Sequence, residues 1–327
     1  MLQKETNPTT LLTGFLGAGK TSLLNHLISS NPDKKYAVIE NEFGKENIDS
    51  ELVLRGESDI IELNDGCLCC TLNENLYDML NDLYDRRNDF DELIIEATGV
   101  ADPAGLAAPF LLNPGIKKQF PLAGIICLVD CEQIEDLLEE TEEAKRQIAY
   151  SDLIVLNKLD LVSTSYVQYL HNMLKHSNPL ATIVHGLESV EAQISVASIR
   201  AIERLLEDAN FELDGNYFPH AHTTNLESLT LKFSEPFLNQ ELRHRLLVYL
   251  TFQAKDLYRM KGVVYTQGDE ERMIVQSVGK RFSVEEGRPW ATDKRESVIV
   301  FIGRDIKRQK TGLQKLLHTC LATKIHS

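Results

Sequence analysis

At 327 residues, with 43% hydrophobic and 25% charged content, the chain exceeds one typical domain and can bury two ordinary cores. Its formal charge of −15 argues against nucleic acid as a main partner, because an acidic surface repels a phosphate backbone. No apolar run reaches the ~18–20 residues of a bilayer span, and the first residues lack the apolar core of a secretory signal. Three of the six cysteines fall within four residues, which is no disulfide framework and points to a reducing, cytoplasmic setting.

In chain order, the first half alternates short apolar runs with amphipathic stretches, the pattern of a mostly parallel sheet layered with helices. Strands are expected at Thr9–Thr13, Tyr36–Glu40, Leu93–Ala97, Gly124–Asp130 and Leu153–Asn157. Helices are expected over Thr21–Ser29, Glu74–Arg86, Glu142–Tyr150, Val167–His176 and Val196–Ala209. The stretch from Asn210 to Asn225 has no period and carries Gly215, Pro219, His220 and His222, so it reads as a linker with two solvated histidines. Strands at Leu229–Phe233, Gly262–Thr266, Met273–Val278 and Ser297–Ile302 then interleave with helices over Asn239–Phe252 and Asp305–Ala322. That pattern predicts a smaller α+β domain.

Three motifs in the first half point to a nucleotide. Gly14-Phe-Leu-Gly17-Ala18-Gly19-Lys20-Thr21 follows an apolar strand and opens a helix, the context that a phosphate-binding loop requires. Its backbone N–H groups, together with the start of the helix through Ser22, can cradle phosphates. Lys20 can neutralise the β- and γ-phosphates, and the Thr21 hydroxyl can complete Mg²⁺ coordination. Asn157-Lys158-Leu159-Asp160 ends another apolar strand. A carboxylate there accepts from guanine N1–H and the 2-amino group, whereas adenine would leave it unpaired, so the expected nucleotide is GTP. Between them, Leu93-Ile-Ile-Glu96-Ala-Thr-Gly99 is a strand ending in a carboxylate that can orient Mg²⁺ and a glycine that can sense the γ-phosphate. No arginine or glutamine stands nearby in sequence to activate water, which predicts slow intrinsic hydrolysis.

Asp65-Gly66 forms a turn before Cys67-Leu68-Cys69-Cys70, and Thr71-Leu-Asn-Glu74 then reads as a capping box opening a helix. A helix start favours thiolate, the form that binds soft metals such as Zn²⁺ or Cu⁺. Core cysteines or a redox pair are the blander readings. No second Cys or His pair closes a tetrahedron nearby, so Glu40 and Glu42 are the local candidates for a fourth ligand. Cys127, Cys131 and Cys320 lie on apolar segments and read as packing residues.

Taken together, Gly14–Thr21, Glu40-Asn-Glu-Phe-Gly44, Gly66–Cys70, Glu96–Gly99 with Ala101-Asp-Pro103, and Asn157–Asp160 resemble the CobW-type metallochaperone GTPases, relatives of the nickel-insertion GTPases. Leu257–Gly262, Arg288-Pro-Trp290 and Val300–Gly303 resemble that family's C-terminal domain. The resemblance implies a P-loop GTPase domain over residues 1–209, a linker over 210–226 and a CobW-type α+β domain over 227–323. It implies GTP, Mg²⁺ and Zn²⁺ as ligands, with Zn²⁺ on Cys67, Cys69 and Cys70, and a client metalloprotein as recipient. Homo-oligomers are left open, and neither nucleic acid nor membrane is expected as a partner. Lys45 stands where close relatives often carry an acidic residue, which argues against a ligand role there. Rival readings are a chaperone for cobalt, iron or nickel, a small-molecule kinase, and a signalling GTPase with structural zinc.

Overall fold

The computed structural model describes residues 6–40, 61–62, 72–190, 225–291 and 294–322, and these fall into two compact units. The first unit contains strands β1 (Thr9–Gly14), β2 (Tyr36–Glu40), β3 (Ile61–Glu62), β4 (Glu92–Glu96), β5 (Leu122–Asp130), β6 (Leu153–Asn157) and β7 (Thr182–His185). They form one sheet in the order β3-β2-β4-β1-β5-β6-β7 with every ladder parallel. Its helices are α1 (Lys20–Ser30), α2 (Leu72–Asp85), α3 (Pro103–Leu112), α4 (Pro114–Gln119), α5 (Ile134–Glu140), α6 (Glu142–Tyr150) and the first part of α7 (Thr164–Ser177), whose residues from Asn172 on fall in the second unit.

Burial on both faces explains why these strands read as unbroken apolar runs. On one face, Leu23, Leu24 and Leu27 of α1 pack with Leu12, Val38, Ile94, Ile126 and Val155 of the sheet. The central strand β1 is flanked by β4 on one side and β5 on the other, so the chain winds outward from it in both directions. That reversal opens a crevice at the carboxyl ends of the strands, where ligands of such sheets bind.

Some elements carried no periodic signal. Helix α3 is apolar on all sides, Pro-Ala-Gly-Leu-Ala-Ala-Pro-Phe-Leu-Leu, so it shows no stripe. Asp102 starts it by accepting from Ala104 N–H at 2.9 Å, with Pro103 in the first turn. The short strands β3 and β7 and helices α4 and α5 also went unread. The expected helix over Val196–Ala209, the linker and the capping box at Thr71 fall outside the described residues or their described side chains.

The second unit comprises β8 (Leu226–Phe233), α8 (Asn239–Phe252), β9 (Leu257–Val264), β10 (Glu271–Val278), β11 (Arg281–Pro289), β12 (Ser297–Arg304) and α9 (Lys310–His318). Its sheet runs β11-β10-β9-β12-β8, all antiparallel. Leu242, Leu246 and Leu250 of α8 and Leu313 and Leu317 of α9 share one core with Leu229, Leu231, Met260, Ile299 and Phe301. The expected strand at Gly262 in fact begins at Leu257, because buried Arg259 and Lys261 interrupt its apolar pattern. Charged β11 went unread for a related reason. It is an edge strand, where charges deter pairing with another chain.

Candidate functional site

The three nucleotide motifs converge because their strands are neighbours. Leu12 of β1 lies beside Glu96 of β4, Gly14 beside Leu128 of β5, and Asp130 of β5 beside Asn157 of β6. All three loops therefore leave the same carboxyl edge of the sheet.

The phosphate loop turns tightly, with Gly14, Gly17 and Gly19 all at positive φ. At Gly19 two demands coincide: φ is 102°, and a Cβ would lie 2.6 Å from the Asn157 side-chain nitrogen. Only glycine meets both. Ala18 is buried beneath the loop, while Thr21 and Ser22 are exposed on the first turn of α1. That turn directs unpaired backbone N–H groups and the positive end of the helix dipole outward, where phosphate can be held.

Lys20 Nζ donates to the carbonyls of Gly14 at 3.0 Å and Phe15 at 3.4 Å. Burial holds its pKa below the ordinary lysine value, opposed by the nearby Glu96 carboxylate. A cation so placed is poorly solvated and gains from an arriving polyanion. Thr21 Oγ1 donates to Glu96 Oε1 at 3.4 Å, so the structure brings together the two predicted Mg²⁺-coordinating side chains from positions 75 residues apart. Two oxygen donors at this spacing suit a hard cation that keeps several waters.

The family resemblance assigns Asn157 to the guanine base; its side chain donates from Nδ2 to the Ala18 carbonyl at 2.9 Å, tying the end of β6 to the phosphate loop. Lys158 has left-handed backbone (φ 58°), and its Nζ donates to Asp130 Oδ2 at 2.7 Å. This hydrogen bond raises the Lys158 pKa above its ordinary value. Asp130 is buried and accepts at Oδ1 from Glu132 N–H at 3.0 Å. The turn then presents Asp160 to solvent, in a short 3₁₀ turn over Leu159–Leu161. Gly186, just past β7, lies beside Leu159 and donates its N–H to the Leu156 carbonyl at 2.9 Å, so the chain after β7 borders the Lys158–Asp160 turn.

Asp130 was missed in the sequence, although an apolar strand ending in a carboxylate is the same signal that singled out Glu96. Replacing it with alanine is expected to free Lys158, loosen the strained turn that carries Asp160, and weaken GTP and GDP binding alike by roughly tenfold. Calorimetric titration with both nucleotides checks this.

Among the metal candidates, Cys67, Cys69, Cys70 and Glu42 lie outside the described residues, as does Lys45. Glu40 closes β2, where the ladder pairs it with Glu96 on β4. β3 lies on the other side of β2, with Glu62 beside Val38. Both strand ends therefore open on the edge that carries the nucleotide loops. Among the described residues no group of three or more His, Cys, Asp or Glu side chains could hold a metal. Cys127, Cys131 and Cys320 are free and buried. Burial pushes the Cys127 thiol up to about 12 and Cys131 to about 11, so both remain protonated packing groups at neutral pH.

Comparison with known proteins agrees with this geometry. Residues 8–185 match the family described as CobW/HypB/UreG, nucleotide-binding domain. Residues 226–321 match the cobalamin synthesis protein cobW C-terminal domain. The Escherichia coli zinc chaperone YjiA is 31% identical over 318 residues, covering 94% of this chain and 98% of that protein. The zinc-regulated GTPase metalloprotein activator 1 of Schizosaccharomyces pombe is 28% identical, covering 92% of this chain and 83% of its own length. The crystal structure of Zn(II)-bound YjiA GTPase from E. coli superposes with a TM-score of 0.67 at 26% identity, covering 96% of this chain and 99% of that one. No helix among the described residues is long and apolar enough to cross a membrane. With a family match spanning both units and the phosphate, Mg²⁺ and guanine motifs on one sheet edge, the chain belongs to the CobW/HypB/UreG family and is a P-loop GTPase.

Proposed function

We propose that this chain is a cytoplasmic zinc metallochaperone that couples GTP hydrolysis to delivery of Zn²⁺ into a client metalloprotein. In this reading Cys67, Cys69 and Cys70 hold the ion as thiolates, and Glu40 or Glu42 supplies an exchangeable fourth ligand. Lys20 and the N–H groups of Gly14–Ser22 bind the phosphates, and Asp160 reads guanine. Thr21 and Glu96 hold Mg²⁺, which when bound neutralises charge between the β- and γ-phosphates.

The observation that carries the reading is the pairing of Glu40 with Glu96 on adjacent parallel strands. A candidate zinc ligand and a candidate Mg²⁺ ligand thereby sit on neighbouring strand ends. A shift of the Glu96–Gly99 turn when the γ-phosphate leaves can then be felt at β2. Relatives named as zinc chaperones support zinc as the cargo. An open three-thiolate site suits delivery, because a closed tetrahedral site would hold its metal permanently.

Anaerobic zinc titration should give a tight site in wild type that Cys69→Ser weakens by at least about tenfold. Its affinity should differ between the GDP-bound and GTP-analogue-bound protein. Zinc affinity indifferent to both the mutation and the nucleotide would sink the proposal. Parallel competition with cobalt, nickel and iron identifies the preferred ion. Chelation should leave a folded apo protein, whereas unfolding would mark the zinc as structural.

A further inference from the structure

Neither an arginine nor a glutamine stands near the Glu96–Gly99 turn in sequence, yet the fold brings one of each to it from helix α6. Gln147 Nε2 donates to the Gly99 carbonyl at 2.9 Å, and Arg146 Nη1 donates to Asp102 Oδ2 at 2.9 Å. We propose that Gln147 is a positioning residue for GTP hydrolysis, fixing the Gly99 peptide against the phosphate loop so that the turn stands ready for the γ-phosphate. The inference rests on the reading of Gly99 as the γ-phosphate sensor.

Three features distinguish this contact from ordinary packing. Gln147 is buried, at 2% exposure, and its amide donor is engaged on the Gly99 carbonyl; it is not presented to solvent where an attacking water would stand. Gly99 also lies close against the phosphate loop, because a Cβ there would lie 2.6 Å from Leu16 N and 2.9 Å from Leu16 Cα. The Gly99 backbone is thus in close contact with the phosphate loop at Leu16 and hydrogen-bonded to Gln147. Gln147 is itself held rigidly: α6 packs on β1 and β5, and the Gln147 carbonyl accepts from Ser151 Oγ at 2.5 Å. A hydrogen bond between buried neutral groups keeps its directionality because water does not compete for either partner.

The Arg146–Asp102 pair clamps the same segment three residues on, but both side chains are 42% exposed. Solvent screens such a pair, so it contributes less to fixing the turn. Gln147 is therefore the residue to test. Losing its donor leaves the nucleotide pocket intact but allows the 99–100 peptide to rotate. That change costs the γ-phosphate interaction and spares the contacts that GDP also makes.

The test compares wild type, Gln147→Met, Gln147→Glu and Gly99→Ala in full-length protein. It measures GTP turnover, affinities for GDP and a non-hydrolysable GTP analogue, and thermal stability. Gln147→Met keeps the side-chain length and removes the donor. Its kcat for GTP should fall about tenfold and its affinity for the GTP analogue should weaken, with GDP affinity changed less than about twofold. Gln147→Glu can donate to the Gly99 carbonyl only when protonated, so its turnover should fall as rising pH ionises the carboxyl. Gly99→Ala should lose turnover and analogue affinity together. Wild-type turnover in Gln147→Met alongside a damaged Gly99→Ala overturns the inference alone. Equal weakening of GDP and analogue in Gln147→Met, with lowered stability, marks a structural residue and also overturns it. Normal turnover in Gly99→Ala overturns the sensor reading and the inference with it.

Discussion

Replacing Lys20 with methionine should lower GTP turnover by about 10²–10³-fold, the loss that follows removal of one preorganised charge from developing negative charge. The same variant should bind GTP more weakly than GDP relative to wild type, since the lysine is read as meeting the γ-phosphate. Stability should move the other way. Lys20 is buried at 9% exposure, with its ammonium on two backbone carbonyls, and burial lowers its pKa. A lysine with a lowered folded pKa costs stability when charged. The cost is fully present below the folded pKa and is lost as pH rises through the unfolded value. Methionine keeps the apolar stem and removes the charge, so the nucleotide-free variant should melt no lower than wild type at neutral pH. Differential scanning calorimetry beside single-turnover kinetics checks both parts. Retained turnover would remove Lys20 from the phosphate site.

Changing Asp160 to asparagine should redirect base preference from guanine to xanthine. The carboxylate can accept from guanine N1–H and from the 2-amino group at once. An asparagine loses one acceptor and presents an N–H₂ toward the 2-amino group, which costs roughly 3–4 kcal/mol, or ~10²–10³-fold in GTP affinity. Xanthine carries an oxygen at that position and keeps N1–H, so the same asparagine pairs with it on both edges. Asp160 sits exposed on a turn whose left-handed residue, Lys158, is held by buried Asp130. The substitution should therefore leave the fold and the melting temperature unchanged. Competition between GTP and xanthosine triphosphate for a fluorescent nucleotide measures the switch. Unchanged GTP affinity would place base recognition elsewhere.

Much of the nucleotide site could be read from the sequence because its chemistry is local. Gly14–Thr21 is a single turn whose glycine spacing, lysine and helix start are all demanded by the phosphate it can hold. Asn157–Asp160 and Glu96–Gly99 each end an apolar run, so their placement on strand tips followed from burial. The partners of these motifs could not be read. Asp130, Gln147 and the Ala18 carbonyl are ordinary residues of a strand end, a helix and a loop. Each acquires its role only from a neighbour 28, 48 or 139 positions away. Strand β11 and helix α3 escaped for a different reason. The one is too charged at a sheet edge and the other too apolar on every side to show a period.

By itself the sequence determined the nucleotide chemistry, the thiol cluster, the parallel first sheet and the presence of a second α+β unit. Each of these is set by residue type at short spacing or by the period of burial along one segment. Only the tertiary structure decided that Thr21 meets Glu96, that Asn157 ties down the phosphate loop, and that Glu40 pairs with Glu96 on adjacent strands. It also decided that a buried glutamine from α6 holds Gly99. These contacts depend on strand order, and strand order is fixed by how the whole sheet buries its two faces at once. No single segment carries that information.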